Sequence, residues 1–210
     1  MPVILSPKMV TLASHFCGIG VEIIFYQKSN MQHITFITGN VAKAEQLGRH
    51  LNIPVTHKKL DLPEIQSLDQ KEIIEHKAKE AYRQINAPVL VEDTSLTFLA
   101  LGKLPGPLIK WFLQELDNAG LCDLLKTGTD RSAAASVIFG YYDGESLRVF
   151  EGEIQGTIAV TPRGEKGFGW APVFIPQGYE KTWGEMTVEE QNETSMRKIA
   201  LKKLEAFLKV

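Results

Sequence analysis

Pro88-Val89-Leu90-Val91-Glu92-Asp93-Thr94 is the stretch from which the fold can be read. A short apolar run rich in β-branched residues reads as a buried strand. It ends in two adjacent carboxylates. In an open α/β sheet, ligands bind beyond the carboxyl ends of the strands. Two acids at such a place suit a divalent cation or proton-transfer chemistry. A strand that runs into a solvated acidic loop accounts for them equally well.

Upstream, His33 to Thr38 is strand-like, Gly39-Asn40 breaks the pattern, and Val41 to Leu51 has helical spacing. A strand, a glycine turn and a helix start form a common anion site, because backbone N–H groups and the helix dipole both favour negative charge. Lys43 adds a cation in the first turn. The G-x-x-x-x-G-K spacing of a Walker loop is absent, and a purely structural turn explains the same residues. Pro54 to Leu60 reads as a second strand leading into Asp61-Leu62-Pro63-Glu64, where a proline fixes the backbone between two acids. A helix follows from about Asp69 to Ile85, with Ile73, Ile74, Ala78, Ala81, Tyr82 and Ile85 on its apolar face. Of the lysines on this helix, Lys71, Lys77 and Lys79, one can reach a polyphosphate if the helix borders a cleft.

Downstream, Pro107 suits the first turn of a helix from Leu108 to Leu116, with Trp111 and Phe112 expected in the core or a subunit contact, the core being preferred. A short helix from Ala119 to Lys126 ends at Gly128. Ala133 to Tyr142 and Leu147 to Ile154 form a hairpin about Asp143-Gly144, continued by Gly156 to Val160. This antiparallel section contrasts with the preceding strand–helix alternation and predicts a mixed sheet. Gly164 to Gly169 is a glycine-rich loop entering Phe168-Gly169-Trp170, whose rings either stack on a planar base or pack in the core. Thr187-Val188-Glu189-Glu190 is a capping-box sequence. It opens a helical C-terminal region with Arg197 beside its apolar face.

The 210 residues allow one substantial domain, and a net charge of -2 gives no general attraction to nucleic acid or membranes. Two cysteines, Cys17 and Cys122, make no disulfide or metal pattern, which points to a reducing, cytoplasmic compartment. Val10 to Tyr26 is fairly apolar, but Ser14, His15 and Glu22 interrupt it, and it is too short and mixed for a good membrane span. Residues 1–30 are expected to form an extension, with the domain over 31–210.

Taken together, these motifs resemble the inosine triphosphate pyrophosphatase family, house-cleaning enzymes for non-standard purine nucleoside triphosphates. The resemblance spans about residues 33–208. It rests on Thr38-Gly39-Asn40 with Lys43, Asp61-Leu62-Pro63-Glu64, Val91-Glu92-Asp93-Thr94, Leu104-Pro105-Gly106-Pro107 with Ile109-Lys110-Trp111-Phe112, and Phe168-Gly169-Trp170. It implies a two-lobed α/β fold with a long mixed β-sheet flanked by helices, a central cleft and a homodimer. It implies hydrolysis of ITP, dITP or XTP to the monophosphate and pyrophosphate, with Mg²⁺. Glu64 and Asp93 are then the expected metal ligands. Asp93 is also the expected catalytic base for the attacking water, with Glu92 expected to share either task. Thr38, Gly39, Asn40, Lys43 and Lys77 are expected at the phosphates, and Thr94 among the substrate-binding residues. Phe168, Gly169 and Trp170 are expected at the base, with Arg197 near its 6-oxo group. Three positions depart from the family pattern: Ala171 where an aspartate is usual, Gln191 where a lysine is frequent, and Met196 where a histidine is frequent. A nucleotide-binding homologue with weak or no catalysis, or a pyrophosphatase with altered base specificity, is the alternative those departures imply.

Overall fold

The computed structural model describes residues 34–209, so the expected extension at 1–30 and the domain start at Met31 lie outside the described residues. The elements run β1 (Ile34–Ile37), α1 (Val41–Leu51), β2 (Val55–Lys58), α2 (Gln70–Ile85), β3 (Val89–Phe98) and β4 (Pro105–Gly106). They continue with α3 (Ile109–Asp123), β5 (Ser132–Tyr142), β6 (Leu147–Ile158), β7 (Phe174–Pro176), α4 (Val188–Glu193) and α5 (Met196–Lys209). The seven strands form one mixed sheet in the order β2-β1-β3-β5-β6-β7, with β4 paired to β3 off that path. The α/β fold with a long mixed sheet and flanking helices is as expected. Among the described residues no helix is long and apolar enough to cross a membrane.

Local signals set several boundaries. Asn40 caps α1 by accepting from the Lys43 N–H, and Asp69 caps α2 by accepting from the Lys71 N–H. Thr187 and Glu190 close the reciprocal capping box at the start of α4. The two helices expected over 108–126 are one element broken at Asp117 (φ 54°, ψ -169°), whose carboxylate restarts the helix by accepting from the Ala119 and Gly120 N–H groups.

The central strand differs from its expected form in length. It does not end at the two acids but continues to Phe98, hydrogen-bonded to β5 over its whole length, from Val89↔Tyr142 to Phe98↔Ala133. Its other edge is shared. Parallel pairing with β1 stops at Leu90, and β4 takes over only at Leu96. Residues 91–95 therefore have a strand neighbour on one side only, and the sheet opens there into a cleft. The change from parallel to antiparallel partners happens at Glu92 and Asp93, within a strand rather than past its end.

Successive side chains of a strand point to opposite faces. Leu90 faces one apolar cluster, with Phe36, Leu47, Phe139 and Leu204, under α1 and α5. Val89 and Val91 face the other, with Ile74, Ala78, Ala81 and Ile138, under α2. Each large side chain fully buried in this way contributes about 1.5–3 kcal/mol. The same alternation sends Glu92 towards α1 and α5 and Asp93 towards α2. Gly152 of β6 lets the first turn of α5 lie directly on the sheet, since a Cβ there would stand 2.0 Å from the Met196 carbonyl oxygen. That close approach fixes Arg197 over the strand.

Candidate active site

The turn after β1 sits at the N-terminus of α1, whose dipole favours an anion, and its own side chains occupy the Asn40 and Lys43 N–H groups. Thr38 Oγ1 accepts from the Asn40 N–H (3.0 Å), Asn40 Oδ1 accepts from the Lys43 N–H (3.2 Å), and no acidic side chain lies in the first turn of α1. The turn borders a cleft of about 470 Å³ whose lining includes Thr38, Gly39, Asp61, Glu64, Lys77 and Glu92. Five of the six come from motifs singled out in the sequence, and Lys77 is the lysine of α2 that reaches the cleft.

Glu92 and Asp93, adjacent in sequence, occupy different electrostatic environments. Glu92 is buried among cations: Lys43 Nζ lies 2.8 Å from Oε1, and Arg197 donates to Oε2 through Nε (3.2 Å) and Nη2 (3.0 Å). Burial alone pushes its carboxyl upward, but the charges and hydrogen bonds of Lys43 and Arg197 outweigh that and hold it below its ordinary value. It is a fixed anion with its lone pairs engaged. Asp93 faces the other way. Its pKa is raised, first by burial and further by Glu64, against the opposing pull of Lys77 and Gln70. Its Oδ2 is buried without a hydrogen-bond partner. Lys77 Nζ stands between two carboxylates, 3.6 Å from Asp93 Oδ1 and 3.5 Å from Glu64 Oε1, and donates to the Glu92 carbonyl oxygen at 3.4 Å.

Arg197 is engaged over the central strand. Besides Glu92 it donates to Gln46 Oε1 and to the Lys43 carbonyl oxygen, so four of the five N–H groups of a guanidinium have partners. It ties α5 to α1 and β3. Thr94 lies one strand repeat beyond Glu92 on the same face.

The two rings of the Phe168-Gly169-Trp170 segment separate in role. Trp170 is 4% exposed and belongs to an aromatic cluster with Phe174 (6.0 Å between centroids) and Trp183 (5.5 Å). Phe168 is 48% exposed and packs edge-on against Trp170 at 4.7 Å. Only Phe168 presents a face to solvent, and the expectation of a matched pair of stacking rings is corrected on that point. Gly169 is held from outside, its carbonyl accepting from Asn118 Nδ2 at 3.0 Å. None of the three lines the phosphate-side cleft.

Of the three departures, Ala171 is completely buried and Met196 nearly so. Gln191 donates through Nε2 to the Trp183 carbonyl oxygen at 2.6 Å. All three serve the packing of the aromatic cluster and of α5.

Trp111 was expected in the core but is 54% exposed and forms part of the cleft wall beside Lys110. Lys110 Nζ lies 3.7 Å from Glu64 Oε2 and 5.2 Å from the Trp111 ring centroid, within cation–π range. The sequence carried a usable signal. The stripe at 109, 112, 113 and 116 has helical phase, and 111 falls off it.

Oxygen donors of the kind Glu64 and Asp93 supply suit Mg²⁺. The ammonium of Lys77, standing between Glu64 Oε1 and Asp93 Oδ1, marks a spot where positive charge is demanded. Among the described residues no group of three or more His, Cys, Asp or Glu side chains is placed to form an all-protein metal cage. Mg²⁺ is usually held by one or two carboxylates plus phosphates and water, so the pair fits such an ion.

The sequence profile of the Ham1 family matches residues 34–207. Solved structures share the fold. A Ham1 protein from Staphylococcus aureus superposes with a TM-score of 0.70 at 24% identity, covering 84% of this chain and 98% of that one. A HAM1 protein from Coxiella burnetii gives 0.74 at 24% identity, covering 85% and 99%. A nucleoside-triphosphatase / dITP/XTP pyrophosphatase from Mycobacterium abscessus gives 0.66 at 28% identity, covering 85% and 100%.

Proposed function

The chain belongs to the Ham1 family, and on that premise we propose that it hydrolyses non-standard purine nucleoside triphosphates such as ITP, dITP and XTP to the monophosphate and pyrophosphate. The observation that carries the proposal is Lys77, a cation of the cleft wall held between the Glu64 and Asp93 carboxylates, with Thr38 and Gly39 lining the same cleft.

In this reading the triphosphate lies along the cleft. Thr38, Gly39 and Asn40 meet it at the N-terminus of α1, where the helix dipole favours an anion, and Lys43, Lys77 and Lys110 contribute cations. Glu64 and Asp93 are the residues that would hold Mg²⁺, which would supply charge neutralisation for the phosphate oxygens. Asp93 accepts a proton from the water that attacks the α-phosphorus, as the bond to the bridging oxygen breaks and pyrophosphate leaves. A carboxylate whose pKa is raised towards the working pH suits that task. Glu92 does not share it. Its lone pairs are engaged by Lys43 and Arg197, and its role is to hold those two cations at the cleft's edge. Phe168 is the ring that stacks on the base. Homodimeric assembly and a cytoplasmic location belong to the same proposal. The latter is supported by the unpaired, buried Cys122.

A second reading, with relaxed choice of base, is favoured by Ala171. Its side chain is fully enclosed, and it brings no carboxylate to the aromatic segment. Pyrophosphate release from a panel of ITP, dITP, XTP, GTP, ATP and CTP with Mg²⁺ separates the possibilities. Turnover concentrated on the first three supports the proposal. Comparable turnover of ITP and ATP supports the second reading. Binding without turnover of any nucleotide refutes both.

A further inference from the structure

We infer that Gln70 is a positioning residue for Asp93, a carboxamide held by Ser136 that fixes which carboxylate oxygen is presented to the cleft; the inference rests on the assignment of Asp93 as the reacting carboxylate. Gln70 is the first residue of α2 and stands seven positions before Lys77, two turns along the same stripe of the helix. Both residues meet Asp93, Lys77 from the side of Oδ1.

The other partner comes from the sheet. Ser136 of β5 pairs with Ser95, and Ile138 pairs with Asp93. Ser136 is therefore the diagonal neighbour of Asp93 on the face under α2. Its hydroxyl donates to Gln70 Oε1 at 2.9 Å. That bond occupies the acceptor end of the amide and leaves the NH₂ end to face the acid. An ionised carboxylate only accepts, so this orientation of the amide is the one that gives Asp93 a donor. The reverse orientation would set a carbonyl oxygen against the carboxylate.

Gln70 Nε2 and Asp93 Oδ2 are both buried, and each falls short of a hydrogen bond of full geometry. The carboxamide stands beside the acid. Catalytic hydrogen bonds are often loose in the free protein and tighten with substrate. When this one closes, Oδ2 is committed to Gln70 and Oδ1 is left on the Lys77 side of the cleft, where the reacting groups are.

The test measures pyrophosphate release from dITP, with kcat and KM separated, for the wild-type protein, Gln70→Leu, Ser136→Ala and the double variant. The expected result for Gln70→Leu is a fall in kcat of roughly tenfold to a hundredfold, with KM within about twofold. Ser136→Ala, which acts through Gln70, falls less, and the double variant falls no further than Gln70→Leu. A kcat for Gln70→Leu within about twofold of wild type overturns the inference, as does a strictly additive double variant. A second readout does not depend on turnover. The Gln70 side-chain amide signals in a ¹H–¹⁵N correlation spectrum, identified by their loss in Gln70→Leu, should move in Asp93→Asn and in Ser136→Ala. Signals unmoved by both substitutions refute the pairing. An inactive wild-type protein refutes the pyrophosphatase reading alone and leaves the amide signals to decide this one.

Discussion

Arg197 and Glu92, 105 positions apart in sequence, meet in a charge-assisted pair at 3.0 Å that binds the C-terminal helix to the central strand. Lys43 completes the group from α1. Glu92→Gln leaves both cations without their counter-charge. Breaking a buried pair from one side costs about 3–5 kcal/mol, and urea unfolding at neutral pH should show a loss near the lower end, since Lys43 is partly solvated. The pH dependence has a definite sign. The folded pKa of Glu92 lies below its ordinary 4.5, so its stabilisation is present above that value and is lost as pH falls through the folded pKa. The gap between wild type and Glu92→Gln should therefore narrow in acid. A gap that stays constant below pH 4.5 would show that the carboxylate is not the source.

Asp93→Asn is expected to lower turnover by at least about a hundredfold while leaving the protein as stable as wild type or more so. The folded pKa of Asp93 is raised, so the folded state prefers the neutral group, and ionisation costs stability as pH rises through that pKa. An amide removes the cost. Urea midpoints and pyrophosphate assays on one preparation check both halves. A folded Asp93→Asn protein with near-normal rate removes Asp93 from its role.

The two aromatic residues around Gly169 should respond oppositely. Trp170→Ala opens a hole in a packed cluster and should cost about 3–5 kcal/mol. Phe168→Ala should change stability by no more than about 1 kcal/mol and act on KM, since stacking on a base is worth about 1–3 kcal/mol. A Phe168→Ala protein with unchanged KM for every nucleotide would place the base elsewhere.

Ala171→Asp is expected to destabilise rather than to restore a family-like base contact. Ala171 is fully enclosed, and a carboxylate buried there without a partner is costly. A thermal unfolding midpoint at or above the wild-type value would show that the segment swings outward to accommodate the acid.

Burial pushes the Cys122 thiol up to about 11, with the Arg131 guanidinium only partly opposing it. The neutral thiol is thus favoured in the folded state. The stability this brings is present below its ordinary 9.0 and is lost as pH rises towards about 11. In a Cys17→Ser background the native protein should resist thiol reagents at about pH 8 and react only when unfolded. Rapid stoichiometric labelling of the native protein would contradict the burial.

The sequence was most legible where local chemistry decides. The bounds of α1 follow from Asn40 and the apolar phase of 41–51, and the caps at Asp69 and Thr187 announce their helices. It was least legible where distant residues decide. The run Glu92-Asp93-Thr94-Ser95 looks like a strand's end because it is polar, yet the ladder to β5 carries the strand through it and cations from α1, α2 and α5 compensate the acids. Nothing local says that two neighbouring carboxylates will differ so much; that follows from strand alternation together with what each face meets. The burial of Trp170 and the pairing of Arg197 with Glu92 escape the sequence for the same reason. A buried aromatic cluster and a 105-residue ion pair leave no periodic mark in the sequence.

The opening in the sheet at residues 91–95 has a mechanical consequence. The backbone of the two acids is clamped to β5 from Val89 to Phe98, so this wall of the cleft is an anvil. Adjustment to a nucleotide has to come from the facing pieces: the exposed turn at Gly39-Asn40, the reach of Lys77 and Lys110, and the half-exposed ring of Phe168. Substitutions that loosen those pieces should broaden the range of nucleotides accepted, whereas substitutions along β3 should set the rate for all of them alike.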